Sequence, residues 1–259
     1  MARNLITETL VLPSASTHLY GPDFDGHITL RAMTTNEERM RLSGQSFYQT
    51  MAMIINECIV DNKNPDGSYK LDCVAFTDFD FFAILVKLRI MSYGPKYKTM
   101  SFCPRCGKSE TYVVDLSDLI YNLVPSDFKE PYPIGPLPSS GDTLGCRFLR
   151  VKDRLDIEKQ KDIIMAQNPN YVGDPTYNLE MERRIMQVNG EDLDYVTAKD
   201  YVDNMIAMDS AVYHDKIDEV YYGVVRTGFI DQCSTDGCSG KPYWILRPDK
   251  EFFRPCLDG

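Results

Sequence analysis

The chain has 259 residues, 43% of them apolar, enough to bury a core in one large domain or two small ones. Its formal net charge of -10 argues against a phosphate-binding surface, where basic patches supply most of the attraction. No apolar run has the form of a secretory signal or the length of a membrane span; the longest, 79–91, carries Asp80, Lys87 and Arg89.

Residues 1–27 hold Pro13, Gly21, Pro22 and Gly26 and read as an extended N-terminal arm. Such an arm is too polar to fold alone and orders against a neighbour, so removing 1–17 is expected to leave the rest folded. Residues 28–125 read as a helical core plus the first half of a zinc ribbon. Within it, 28–33 alternates apolar and polar side chains like a half-buried strand. Thr34 or Thr35 caps a short helix with Glu37 and Glu38 in its first turn, stopping near Gly44. The run 47–60 predicts a buried helix, and 61–69 a turn-rich loop. Thr77-Asp78-Phe79-Asp80 is a capping signature for a helix to about Ser92, which Gly94 and Pro95 end. Strands are expected over 96–102 and 110–116.

Residues 126–152 read as a Pro-rich connector and a strand. Pro125, Pro131, Pro133, Pro136 and Pro138 suggest a stiff spacer and no folded element before the strand at 143–151. Residues 153–223 read as a helical insertion, with helices over 153–167 and 177–188, one from Thr197 to about Met205 and one from Asp209 to Tyr222. Asn189-Gly190 marks a turn. Residues 224–259 supply the second half of the ribbon, with strands over 224–230 and 241–246, and a C-terminal tail. In that tail Phe252 and Phe253 are costly to leave in water; they fold back onto the ribbon or dock on a partner. The fold class expected is α+β, mainly helical with a small antiparallel zinc-ribbon-like β element.

Four cysteines carry the chemistry. Cys103-Pro104-Arg105-Cys106-Gly107 and Cys233-Ser234-Thr235-Asp236-Gly237-Cys238-Ser239-Gly240 each read as a zinc knuckle. The turn must aim backbone amides at thiolate sulfur, and the glycines permit that backbone. Cys103, Cys106, Cys233 and Cys238 together make one tetrahedral thiolate site for a structural zinc. A site of sulfur alone has no open position for water, so it holds structure and does not catalyse. The 126 residues between the pairs exceed the roughly 12–20 of common fingers. Two other readings stand beside this one: unrelated reduced thiols, or a redox Cys-x-x-Cys, which wants a helix where 110–116 reads as a strand. Cys58, Cys73, Cys146 and Cys256 read as structural, with one of them able to replace a ligand. In a chain with no signal, a reducing compartment is expected. His18, His27 and His214 are far apart, and no nucleophile elbow, phosphate loop or dinucleotide fingerprint occurs, so no enzyme is expected.

Several segments in order resemble a known family. They are 12–14 with 19–22, 28–38, 78–94, Cys103 to Gly107 with 114–116, and 251–255. Together they resemble a family of tailed-phage baseplate proteins, the one that includes the small baseplate hub protein of T-even phages. The likeness touches most of 12–125 and again 224–256, but not 153–222. It implies a structural component of the baseplate hub or an adjacent ring, without catalytic residues. It implies a place in the virion tail baseplate, and in host cytoplasm during assembly. The partners implied are other phage tail and baseplate proteins, with the chain present in several copies; a membrane is not expected from the apolar pattern, and the acidity weighs against nucleic acid. Two alternatives accompany it: an assembly factor absent from the mature virion, and a zinc-ribbon nucleic-acid-binding module. The latter would use Lys96, Lys98, Arg105 and Lys108, against the overall acidity.

Overall fold

The computed structural model describes residues 5–17, 19–22, 24–248 and 252–256; His18 and Glu251 lie outside them. A hairpin opens the chain, β1 (Thr7–Val11) against β2 (His27–Arg31), with Leu10 opposite Ile28. The described part of the expected arm is therefore strand and packed loop. Leu12 has no exposed surface, and Ser14 is buried. Asp80 holds this loop: its carboxylate accepts from Ser14 N at 3.2 Å and Ser14 Oγ at 2.5 Å, and from the Tyr20 hydroxyl. Burial pushes Asp80 up, and these donors pull it back. A truncation at Thr17 takes Leu12 out of the core and strips donors from a buried carboxylate, so it is expected to destabilise the remainder.

Thr34 caps α1 (Thr35–Arg41), and Glu37 closes the reciprocal box onto the Thr34 amide. Ser46 caps α2 (Phe47–Cys58). Thr77 caps α3 (Asp78–Tyr93), and Gly94 ends it at φ 80°, a conformation that costs glycine little. Ten of the 16 residues of α3 are buried, Asp80 and Arg89 among them, so this helix is enclosed on most sides and sits at the centre of the larger core. Phe252 and Phe253 pack into that core, Phe252 against Phe82 and Tyr97, and Phe253 against Tyr93.

A second hairpin follows, β3 (Lys96–Phe102) with β4 (Ser109–Asp115), then the short β5 (Tyr121–Asn122). The Pro-rich stretch is not a spacer. It folds as β6 (Tyr132–Ile134) and β7 (Leu144–Cys146), and Tyr132, Ile134 and Leu137 are buried in the smaller core. Pro133 is tolerated because β6 is an edge strand, where a missing N–H breaks no ladder.

Helices α4 (Val151–Gln167) and α5 (Thr176–Arg184) come next. The helix expected to run to 188 stops at Arg184. Ile185 turns extended and starts β8 (Ile185–Val188), which pairs with β7 and, across Asn189-Gly190, with β9 (Glu191–Asp192). Asn189 and Gly190 have φ of 53° and 85°, the pair of positive values that a two-residue hairpin turn requires. After α6 (Tyr195–Asp203) and α7 (Ala207–Glu219), β10 (Gly223–Val224) returns to β5. Finally β11 (Thr227–Phe229) and β12 (Tyr243–Ile245) extend the second hairpin into one sheet of order β11-β12-β3-β4.

The described residues thus form seven α-helices and twelve strands, the strands in four antiparallel sheets. This overturns the expectation of a mainly helical chain with one small β element. Most of the extra strands are two to five residues long, too short to show the alternation that marks a strand in sequence. No helix among the described residues is long and apolar enough to cross a membrane.

Candidate metal centre

Each cysteine pair sits on the turn of a hairpin. Between β3 and β4, the Cys103 amide donates to Lys108 O and the Gly107 amide to Cys103 O, both at 2.9 Å. Gly107 lies at φ 73°. Between β11 and β12, the Cys233 amide donates to Gly240 O at 3.2 Å and the Cys238 amide to Thr235 O at 3.0 Å. Strand β12 then pairs with β3, Tyr243 opposite Phe102, which sets the two turns side by side.

The four sulfurs converge. Cys103 Sγ lies 3.8 Å from Cys238 Sγ, Cys106 Sγ lies 3.6 Å from Cys233 Sγ, and all four fall within 4.8 Å of one another. A tetrahedron with zinc–sulfur bonds of about 2.3 Å has sulfur–sulfur edges of roughly 3.8 Å. The Thr235 amide points at Cys233 Sγ at 3.5 Å and the Gly240 amide at Cys238 Sγ at 3.4 Å, the donors that thiolate ligands use. Cys103 and Cys233 are buried, Cys238 is half-buried and Cys106 is exposed. None of Cys58, Cys73, Cys146 and Cys256 joins the group among the described residues. Burial pushes the Cys58 and Cys146 thiols up to about 12, so they are inert core side chains.

The electrostatics of the group suit a cation. The Lys108 amide and the Thr235 hydroxyl hold Cys106 down to about 6. The Gly240 amide pulls Cys238 down as well, but loss of hydration and the three neighbouring thiols together push it up to about 11. Four sulfurs this close cannot all ionise alone, and a divalent ion among them removes the conflict. Around them the turns are cross-tied: Lys108 Nζ donates to Ser234 Oγ at 2.7 Å, Ser234 Oγ to Glu110 at 2.6 Å, and Arg105 donates to Ser239. Two of the four cations read as a basic cluster thus bind the opposite turn.

Gly240 closes the cradle. A methyl group there would lie 2.6 Å from Cys103 Sγ and 2.8 Å from Arg105 Cβ. Gly240→Ala is expected to displace that sulfur and weaken metal affinity by roughly ten- to a hundredfold, as disturbed ligand support does. Titration with a competing chelator measures it, and an affinity equal to that of the unaltered chain would refute the placement.

His18 lies outside the described residues, and the other two histidines join no metal-ligand group: His27 hydrogen-bonds Asp25, and the His214 ring lies against Tyr177. One constellation escaped the sequence reading. Arg154 Nε donates to Asp78 Oδ2 at 2.6 Å, and the same guanidinium binds Glu180. This cluster lines a cavity of about 340 Å³ between the two cores, beside Phe79, Phe148 and Tyr213. Asp78 and Arg154 are 76 residues apart, and nothing local marks either as one of a pair.

The sequence model of the family described as T4 bacteriophage base plate protein matches residues 7–165. The chain belongs to this family. It is therefore a baseplate protein of a bacteriophage tail, with a structural role among other baseplate proteins. The match takes in Cys103 and Cys106 and ends within α4, before Cys233 and Cys238. No curated protein and no solved structure matches the chain.

Proposed function

We propose that this baseplate protein is a built-in component of the hub or an adjacent ring, and that one structural zinc holds it in its assembling shape. Cys103, Cys106, Cys233 and Cys238 would hold the ion. It would supply charge balance for the thiolates and a cross-link between residues far apart in the chain, with no position left for water. The observation that carries the reading is the approach of all four sulfurs to within 4.8 Å from two separate hairpin turns. The partners are other tail and baseplate proteins, and the protein passes through host cytoplasm before it joins the particle. Binding nucleic acid fits less well, because Lys108 and Arg105 are spent on Glu110, Ser234 and Ser239.

Mass spectrometry of purified virions, beside tails from a phage carrying Cys103→Ser and Cys238→Ser, tests this. The chain is expected in the virion at fixed stoichiometry, and the variant phage is expected to stall before complete baseplates. Absence from the virion with stalled assembly would make it an assembly factor. Normal baseplates from the variant would remove the metal's role.

A further inference from the structure

The sheet β11-β12-β3-β4 has two unlike faces. Side chains alternate along each strand, and Ser101, Val114 and Trp244 turn inward and are buried. On the other side the register aligns Phe229, Tyr243 and Phe102 across three strands, with Met100, Ile245 and Val113 beside them. Phe229 is 74% exposed, Met100 60%, Val113 43% and Phe102 40%. A contiguous apolar stripe on a sheet's open side marks an interaction surface. Exposed Lys96 and Lys98 flank it along β3, and exposed Lys241 and Arg247 stand at the two ends of β12.

Charge says what covers it. The cations beside this face are Lys96, Lys98, Lys241 and Arg247, all exposed, whereas Arg105 and Lys108 are held at the cysteine turns and Arg226 lies over Phe82. Residues 153–222 hold seven Lys and Arg against sixteen Asp and Glu, so nearly all of the chain's net charge of -10 resides there. On α7, Met208, Ala211, Asp215 and Asp218 recur at helical spacing and are all exposed, next to exposed Ile206. This second surface is apolar with an acidic border, the complement of the first. A sheet face meeting another sheet face would set lysine on lysine.

We propose that the open face of the cysteine-turn sheet docks on the α7 face of a second copy of this chain, head to tail. Such an interface uses two different patches, so it propagates into a ring or a row and does not close as a twofold pair. The proposal goes a step beyond the structural role above and does not depend on which metal the sulfurs hold.

Analytical ultracentrifugation of the full chain, with metal content measured on the same samples, tests it. Two variants serve: Phe229→Asp on the sheet, and Met208→Lys with Asp215→Lys on α7. All three sites are exposed, so the variants keep the fold. The unaltered chain is expected to self-associate at low salt and to weaken as salt rises. Each variant alone is expected to associate roughly tenfold or more weakly. Mixed in equal amounts, the two should form a one-to-one dimer and stop, since each retains the patch that the other lacks. A chain monomeric at low salt, an α7 variant that associates like the unaltered chain, or a mixture that stays monomeric would overturn the proposal. A metal-loaded but monomeric protein would overturn it while leaving the metal reading intact.

Discussion

Stripping the metal from the folded protein is expected to shift the emission of Trp244 to the red and to melt the sheet that carries it. Trp244 is the chain's one tryptophan. It lies on β12, 9% exposed, with its ring over Gly228 so closely that a Cβ there would touch it at 2.4 Å. Strands β11 and β12 are three residues each, and β12 pairs with β3 through two positions only, Tyr243 with Phe102 and Trp244 with Ser101. That is too little ladder to close the loop between residues 115 and 227 without help. In closed thiolate sites, metal binding and folding are coupled at on the order of 10 kcal/mol, so the sheet should not outlast the ion. Acid should do the same. Without an ion, the Lys108 amide and the Thr235 hydroxyl already hold Cys106 down to about 6, so protons compete with the metal for this sulfur as pH falls. A thiol depressed in the folded state contributes fully above the ordinary thiol range and loses that contribution as pH falls through its folded value, about 6 without an ion and lower with one bound. Fluorescence against pH and against chelator reads both effects. An unchanged Trp244 spectrum after the metal is shown to be gone would sink the prediction.

Replacing Arg89 by methionine is expected to cost about 4 kcal/mol and to release the C-terminal segment. Arg89 has no exposed surface and sits one turn before the end of α3. Among the described residues its guanidinium donates only to main-chain carbonyls: Phe252 O at 2.7 Å, Arg254 O at 2.8 Å, Gly94 O at 2.5 Å and Lys96 O at 3.0 Å. One planar fork therefore closes the end of α3, the start of β3 and the returning 252–256. Methionine fills the space but leaves those carbonyls unsatisfied, at about 1–3 kcal/mol each before water reaches them. Lysine keeps the charge without the fork and should recover only part of the loss. Urea unfolding gives the stability, and proteolysis after Phe252 and Phe253 reports release. A change below about 1 kcal/mol, with the tail still protected, would contradict the assignment.

The parts of this fold that sequence shows are those set by neighbours in the chain. Thr34 with Glu37, Thr77 with Asp80, Gly94 and the Asn189-Gly190 turn each declare a boundary within four residues. The two cysteine turns declare themselves as well, because metal-binding turns need fixed spacing and small residues. What stayed hidden is set by distant partners. Arg89 looks like an ordinary helix cation, since its acceptors are main-chain carbonyls that carry no residue signature. Asp80 reads as a cap residue, and its grip on Ser14 and Tyr20 spans more than fifty residues. The prolines of 125–138 suggest a spacer, because the tolerance of an edge strand for Pro133 becomes visible only once its sheet is known. Strand β8 continues the apolar spacing of α5, so nothing in the pattern stops that helix at Arg184.

Elemental analysis of freshly purified protein, made without chelator and paired with a count of reactive thiols, bears most directly on the claim that four sulfurs grip one ion. One zinc per chain, with Cys103, Cys106, Cys233 and Cys238 shielded until the metal is withdrawn, is the predicted result. A protein free of metal, with all four of those cysteines open to alkylation and Trp244 still buried, would contradict it.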